Sequence, residues 1–77
     1  HFSQRELQLL AYLIRQNGRV VSAEKISEAV WGKPSATNTI AVHITRLRVK
    51  LGDNRKQGDM IRTVNGAGYR LGPALSS

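Results

Sequence analysis

Residues 38 to 50 carry the side chains best suited to recognising a partner. Among their polar and basic members are Asn38, His43, Thr45, Arg46, Arg48 and Lys50. No acidic residue occurs from 37 to 51, although a helix face that meets only water usually mixes both signs of charge in i,i+4 pairs. Guanidinium and ammonium groups bind anions, while amide and hydroxyl groups bind hydrogen-bonding edges. This composition predicts contact with an anionic partner that also offers donors and acceptors.

A helix must position these side chains. The spacing i, i+4, i+7, i+11 is that of Ile40, Ile44, Leu47 and Leu51. It predicts a helix over 37–51 packed on a core. At about 100° per residue, the positions opposite this seam are Asn38, Val42, Thr45, Arg46 and Val49. One flank holds His43 and Lys50, and the other holds Arg48.

The outward face of this helix suits the major groove of duplex DNA. The groove admits a helix, a valine there meets a thymine methyl, and an arginine reaches guanine or phosphate. The expected base contacts are those of Asn38, Val42 and Thr45, with Arg46 on a base or a phosphate and Arg48 and Lys50 on the two backbones. For His43, a DNA contact and a packed or capping role both stay open.

A first helix is predicted over 4–16. Ser3 and Glu6 have the spacing of a capping box, and Asn17-Gly18 suits a left-handed end. Its expected core stripe consists of Leu7, Leu10, Ala11 and Ile14.

A second helix is predicted over 23–31, with Ser22 as its cap and Gly32 at its end. Ile26 and Val30 should face inward. Trp31 should lie partly in the core and offer its indole N–H to a phosphate. The preceding residues 19–21 are long enough only for a bridge strand.

The last part of the chain predicts a β-hairpin, or wing, over 60–71. Residues 60–64 and 69–71 are rich in strand formers, and 65–68 form a turn. Thr63 and Asn65 near the tip are expected to touch phosphate or enter a minor groove. Tyr69 should pack beneath the wing, while the strand arginines, Arg62 and Arg70, should be solvated.

Three helices followed by a hairpin describe a mainly α fold with a small β-hairpin, the winged helix-turn-helix. We expect one domain over residues 1–77, with a core over 2–72, a tail over 73–77, and loops at 33–36 and 53–59. Seventy-seven residues without cysteine allow no disulfide and no thiolate metal site. No segment has the length of a membrane span, so we expect a soluble, cytoplasmic protein that does not bind membranes.

The charge is unevenly distributed. The net charge is +7, and residues 33–77 hold eight basic residues against two acidic ones. This asymmetry favours nucleic acid as the partner, with an anionic membrane or no specific meaning as alternatives. An enzyme is not expected: no catalytic residue set, metal-ligand spacing, or cofactor loop is present. A winged helix that docks an acidic protein stays open, as does RNA binding, although the chain has only four aromatic residues.

Four segments of the sequence, in this order, resemble those of a known protein family. They are Gly18 to Ser22, Val30 to Gly32, Val42 to Gly52, and Ile61 to Leu71. Together they resemble the C-terminal effector domain of OmpR/PhoB-type transcriptional regulators, which are bacterial two-component response regulators. The resemblance implies helix 37–51 in a major groove and the wing in the adjacent minor groove.

The resemblance also implies roles for single residues. It places Trp31, Arg46, Arg48 and Thr63 on the DNA backbone, and Val42 and Thr45 on bases. It implies tandem dimers on direct repeats and a contact between RNA polymerase and the loop 33–37. The chain departs from the family at Asn38 and Asn65, where arginine is usual, and at Ala41, where aspartate is usual. The family's amino-terminal sheet and a receiver domain are not among these residues, which we interpret as a fragment of a regulator.

Overall fold

The computed structural model describes residues 1–33, 37–53 and 60–72. Within them lie the helices α1 (Gln4–Arg15), α2 (Ala23–Trp31) and α3 (Thr37–Leu51) and the strands β1 (Ile61–Val64) and β2 (Gly68–Leu71). The strands pair antiparallel, so the predicted winged helix-turn-helix is confirmed. The predicted loop residues 34–36 and 54–59 and the tail 73–77 lie outside the described residues.

The helix ends follow the predicted caps. Ser3 Oγ accepts the Glu6 N–H at 3.1 Å, and the Ser3 N–H donates to Glu6 Oε1 at 2.7 Å, which completes the capping box. Helix α1 ends at Arg15, one residue earlier than predicted, and Asn17 follows at φ 54°. Ser22 Oγ accepts the Lys25 N–H, and Gly32 ends α2 at φ 76°.

The predicted core stripe of α1 is wrong in part. Leu7 and Ile14 are 52% and 50% exposed, whereas Leu9 and Leu13 are fully buried. Leu9 and Leu13 are also four residues apart, so two apolar stripes run side by side on this helix. Helix α1 packs against α2 and β2 with the stripe that contains Leu9 and Leu13, and the predicted stripe of Leu7 and Ile14 is left exposed.

The core lies among all three helices and the base of the wing. Its buried apolar residues are Leu9, Leu13, Val21, Ile26, Val30, Ile40, Ile44, Leu47, Ile61 and Leu71. The predicted inward positions of α2 are confirmed. Those of α3 are confirmed as well, with Leu51 half-buried at the end of the seam. One side of α3 is thereby fixed to the interior, and its opposite side is left to solvent.

The wing is attached to the helices at its base. Ile61 pairs with Leu71 across the hairpin, and both are buried. The backbone of Val21 forms a bridge with that of Tyr69, with N–H to C=O distances of 2.8 and 2.9 Å. Strand β2 begins at Gly68, which the sequence assigned to the turn. A Cβ there would lie 2.0 Å from the Val21 carbonyl oxygen, and φ is 143°, so this position requires glycine.

The end of α3 is tied to the start of β1. The Gly52 N–H donates to the Val49 carbonyl and the Asp53 N–H to the Arg48 carbonyl, which is the Schellman pattern. Asp53 was expected at the start of a polar loop but is buried. Its Oδ2 accepts the backbone N–H groups of Met60 and Ile61 at 2.9 and 3.2 Å. A carboxylate thus sets where the first wing strand begins.

Candidate nucleic-acid interface

The outward face of α3, defined here as Asn38, Ala41, Val42, Thr45 and Arg46, lines one shallow depression. Val42 is 46% exposed, Ala41 is half-buried, and Asn38, Thr45 and Arg46 are exposed. Val49 lies one to two turns further on and is 72% exposed, so it does not pack against the hairpin. The arrangement offers methyl groups at its centre, an amide at one end and a guanidinium at the other.

Arg48 joins α3 to the wing. Its Nε donates to the Ile61 carbonyl at 2.9 Å, and its Nη2 donates to Thr63 Oγ1 at 2.6 Å. Both bonds leave part of the guanidinium fork unused, since arginine carries five N–H donors. The Thr63 hydroxyl accepts from Arg48 and keeps its own hydrogen for another acceptor. The two side chains form one basic, hydrogen-bonding site between α3 and the wing.

Lys50 has a partner within the protein. Its Nζ lies 2.6 Å from Glu6 Oε1 at the start of α1. The Lys50 ammonium, followed by the Ser3 backbone N–H, lowers the pKa of Glu6 from its ordinary value of 4.5 to about 2. Glu6 is only 3% exposed, whereas the Lys50 side chain is 37% exposed. The Glu6 carboxylate therefore offsets the positive charge of Lys50, which the sequence analysis expected to contact a DNA backbone.

Trp31, His43 and Arg5 form a cluster on the opposite flank from Arg48. The Trp31 and His43 rings meet edge to face with centroids 4.9 Å apart, and the Arg5 guanidinium lies 5.3 Å from the Trp31 ring centroid. Arg5 also donates to the Val30 carbonyl at the end of α2. The half-buried Trp31 ring is therefore held between α1 and α3.

His43 adopts the packed position that the sequence left open. Its Nδ1 lies 2.9 Å from the Thr39 carbonyl oxygen, one turn earlier on α3. A carbonyl only accepts hydrogen bonds, so Nδ1 carries the hydrogen and Nε2 of the neutral ring is an acceptor. Neutral His43 cannot donate to a phosphate from Nε2, and only the protonated ring can.

The tip of the wing is exposed. Asn65, Gly66 and Ala67 connect the strands, and the Ala67 N–H donates to the Val64 carbonyl at 3.0 Å. Gly66 has φ 76°, as the third position of a type II turn requires. Arg70 was expected to be a solvated strand residue, but its Nε donates to the Gly18 carbonyl at 3.0 Å. That bond holds the wing to the end of α1 and leaves the tip as the protruding part.

The structure gathers the sequence-predicted residues into three groups. The first is the outward face of α3, the second is Arg48 with Thr63, and the third is Trp31 with His43. Asn65 stands apart at the tip, and Lys50 is held by Glu6.

Sequence reasoning missed four residues that position these groups: Arg5, Glu6, Asp53 and Gly68. Glu6 was assigned only its capping role, although it lies three residues before Leu9, on the buried side of α1. For Arg5 no local signal exists, because Val30 lies 25 residues further along the chain. The partners of Asp53 are only seven and eight residues away, but they lie on the other side of a segment that the sequence marks only as a polar loop.

Two features are absent from the part of the chain that the structure describes. Among residues 1–33, 37–53 and 60–72 there is no group of three or more histidines, cysteines or acids that could hold a metal ion. In the same ranges no helix is both long and apolar enough to cross a bilayer.

Comparison with known proteins identifies the family. The model described as "Transcriptional regulatory protein, C terminal" matches residues 1–71. The chain belongs to this family. Its winged-helix fold is that of the OmpR/PhoB-type C-terminal effector domains.

Individual relatives agree with this assignment. The alkaline phosphatase synthesis transcriptional regulatory protein PhoP of Bacillus subtilis is 41% identical over 69 residues, covering 87% of this chain and 29% of its own length. The RstA DNA-binding domain of Klebsiella pneumoniae, solved in complex with RstA box, superposes with a TM-score of 0.86 at 27% identity, over 95% of this chain and 74% of that one. The DNA-binding domain of CpxR from Escherichia coli gives 0.77 at 38% identity, over 92% and 72%. This effector domain spans about 30% of the length of the curated relatives it matches.

Proposed function

We propose that this effector domain binds a specific duplex DNA site with α3 in the major groove and the wing at the adjacent minor groove. The observation that carries the proposal is the outward face of α3. It is exposed along its length, it has no acidic residue, and it is rigidly backed by buried Ile40, Ile44 and Leu47. A helix with these properties matches the width and donor–acceptor pattern of a major groove.

Phosphate contacts fix the register of such a complex. Arg48 and Thr63 are joined at 2.6 Å, so a single phosphate oxygen pair can meet both the guanidinium and the hydroxyl. Trp31 supplies a second phosphate contact through its indole N–H. His43 adds to it in its protonated form only, because Nδ1 is committed to Thr39.

Base contacts carry the specificity. Asn38 and Thr45 have exposed hydrogen-bonding groups, Val42 has exposed methyls, and Arg46 reaches a guanine or a phosphate. Asn65 at the wing tip enters or borders the minor groove. Lys50 is left out of the proposed phosphate contacts, since Glu6 holds its ammonium.

We also propose further properties that the resemblance to this family supports. The domain acts by binding and not as an enzyme. It is located in the cytoplasm, and it is one part of a longer regulator. It binds direct repeats as a tandem homodimer, and residues 33–37, between α2 and α3, contact RNA polymerase. Footprinting and polymerase pull-down with Lys33→Ala test the last two points separately.

Selection of bound duplexes from a random pool tests the central proposal. We expect one enriched motif and a plot of log K against log salt that falls with a slope of roughly 4–7, at about 0.9 per neutralised phosphate. Arg48→Ala should reduce the slope by about 1, because one phosphate contact is lost. A slope near zero with no enriched motif would instead favour an acidic protein as the partner, and preference for single-stranded RNA would favour the RNA alternative.

A further inference from the structure

The sequence contains two Asn-Gly pairs, Asn17-Gly18 and Asn65-Gly66. An asparagine followed by glycine can lose its side-chain amide without an enzyme, because glycine has no Cβ to keep its backbone nitrogen away from the asparagine Cγ. Both asparagine side chains are exposed to water. The backbones of the two pairs are held to different degrees, and this difference determines which pair reacts.

The backbone around Asn17 is fixed by hydrogen bonds. The Arg19 N–H donates to the Gln16 carbonyl at 3.0 Å, which closes the chain around the pair. The Gly18 carbonyl accepts a hydrogen bond from Arg70 Nε, also at 3.0 Å. The Gly18 nitrogen must turn toward the Asn17 Cγ to react, and that rotation would break these bonds. We therefore expect this pair to be protected in the folded domain.

The pair at the wing tip is less constrained. One backbone bond closes the turn, from the Ala67 N–H to the Val64 carbonyl at 3.0 Å, and it uses no group of Asn65 or Gly66. Among the residues that the structure describes, neither the Asn65 side-chain amide nor the Gly66 N–H has a hydrogen-bond partner. Both groups that must react are therefore uncommitted.

The reaction needs only water. The Gly66 backbone nitrogen gives its proton to hydroxide and attacks the Asn65 Cγ, so that a C–N bond forms and the side-chain amide nitrogen leaves as ammonia. Water then opens the resulting succinimide at either of its carbonyls, which leaves aspartate or isoaspartate at position 65. One water is consumed for each ammonia released, and no oxidant or reductant takes part.

We propose that Asn65 is a site of spontaneous deamidation, and that the carboxylate formed there weakens the binding of DNA by the wing. The second part rests on the proposed function, in which the wing tip borders the minor groove. Residues 63–69 carry no charged side chain, so the product gives the tip its first charge, a negative one. DNA phosphates repel a carboxylate, and the N–H donors of the amide are lost as well.

Incubation of the folded domain at neutral and at alkaline pH, followed by mass mapping of its peptides, tests the reaction. The wing peptide should deamidate several fold faster than the peptide that contains Asn17, and faster at alkaline pH because hydroxide removes the Gly66 proton. Asn65→Gln should block the conversion, since its longer side chain would have to close a larger ring. An unconverted wing peptide, or conversion at Asn17 that is as fast, would overturn the proposal.

The affinity of the converted domain tests the second part. Cation exchange separates the product, which has one net positive charge less, and fluorescence anisotropy with the selected duplex measures its binding. We expect binding weakened by about tenfold at low salt, with a smaller loss at high salt because the repulsion is screened. Asn65→Asp should reproduce this loss. Asn65→Gln, incubated in the same way, should keep its own starting affinity, and a loss there would place the damage elsewhere.

The outcomes separate this inference from the function on which it rests. If the fresh domain binds no duplex in a salt-dependent way, the DNA-binding proposal itself fails, whatever happens at Asn65. If the fresh domain binds its selected duplex and the converted domain binds equally well at low salt, the proposed effect of deamidation on binding is refuted.

Discussion

The two halves of α3 are built for different tasks. Its first half, residues 38–46, turns an uncommitted surface outward, with Val42 half-exposed and no acid nearby. Its second half, residues 47–51, and the two residues that follow it are held by hydrogen bonds and an ion pair. Arg48 bonds to β1, Lys50 pairs with Glu6, and Asp53 holds the start of the wing.

Under the proposed function, the first half of α3 supplies the base contacts that give specificity. The second half fixes the position of α3 relative to the wing. The outward side chains of the first half, such as Val42 and Thr45, can be exchanged for others with little loss of stability, which is what a base-reading surface needs. Side chains of the second half set the angle between the recognition helix and the wing. Substitutions in the two halves should therefore produce different kinds of defect, and the predictions below use that contrast.

The largest effect is expected beneath the first half. Ile44→Ala leaves a cavity among fully buried neighbours and should lower the free energy of unfolding by about 2–5 kcal/mol. Urea denaturation measures it. Val42→Ala, two positions away on the outward side, should change stability by less than about 0.5 kcal/mol. Similar losses for the two variants would mean that the division between inner and outer sides is wrong.

Just beyond the second half of α3, Asp53→Ala should be the most damaging change. It removes the acceptor of the Met60 and Ile61 N–H groups and should cost about 1–3 kcal/mol of stability. Asp53→Asn is the control, because its amide oxygen can still accept these bonds. Hydrogen exchange at Ile61 should accelerate in the alanine variant and much less in the asparagine variant. Unchanged exchange in both would show that Asp53 does not anchor the wing.

Binding should separate the halves most directly. Thr45→Ala should cost about 1–3 kcal/mol on the cognate duplex and little on random DNA. Arg48→Ala should weaken all duplexes alike, since it removes a phosphate contact and the bonds to Ile61 and Thr63. Fluorescence anisotropy with cognate and scrambled duplexes measures both. If the two variants lost the same affinity on both duplexes, base reading by the first half would be refuted.

The smallest effect concerns pH. Because the pKa of Glu6 is lowered to about 2 in the folded protein, the pair with Lys50 stabilises the fold above about pH 4.5. That contribution is lost as pH falls through the folded pKa. Glu6→Gln should therefore flatten the acid side of the stability profile between about pH 4.5 and 2. Thermal unfolding across this range checks it, and an unaltered profile would argue against the ion pair.

The sequence predicted the elements better than their mutual contacts. Caps at Ser3, Ser22 and Gly32 and the seam of α3 are local signals, so helix bounds followed within about a residue. The buried side of α1 was mispredicted because its two apolar stripes have equal periodicity. Only the packing of the helices determines which stripe faces the core. The pair of Glu6 and Lys50 joins residues 44 apart, and no spacing rule reaches that far.

The outward face of α3 was predictable for a related reason. Once the buried seam is known, the helical period fixes what lies opposite, and the absence of acids is visible in the sequence. The link from Arg48 to Thr63 was not predictable, because it depends on where the wing folds back against α3. The structure therefore adds what the sequence could not show: which side-chain atoms of the site already have hydrogen-bond partners within the protein.

One measurement tests the central claim most directly: titration of the isotopically labelled domain with its selected duplex, followed by backbone and methyl chemical shifts. We predict the largest changes at residues 38–46, smaller ones at Arg48, Thr63 and Asn65, and none at Leu7 or Ile14 on the exposed side of α1. Shifts concentrated on α1, with residues 38–46 unmoved, would contradict the account.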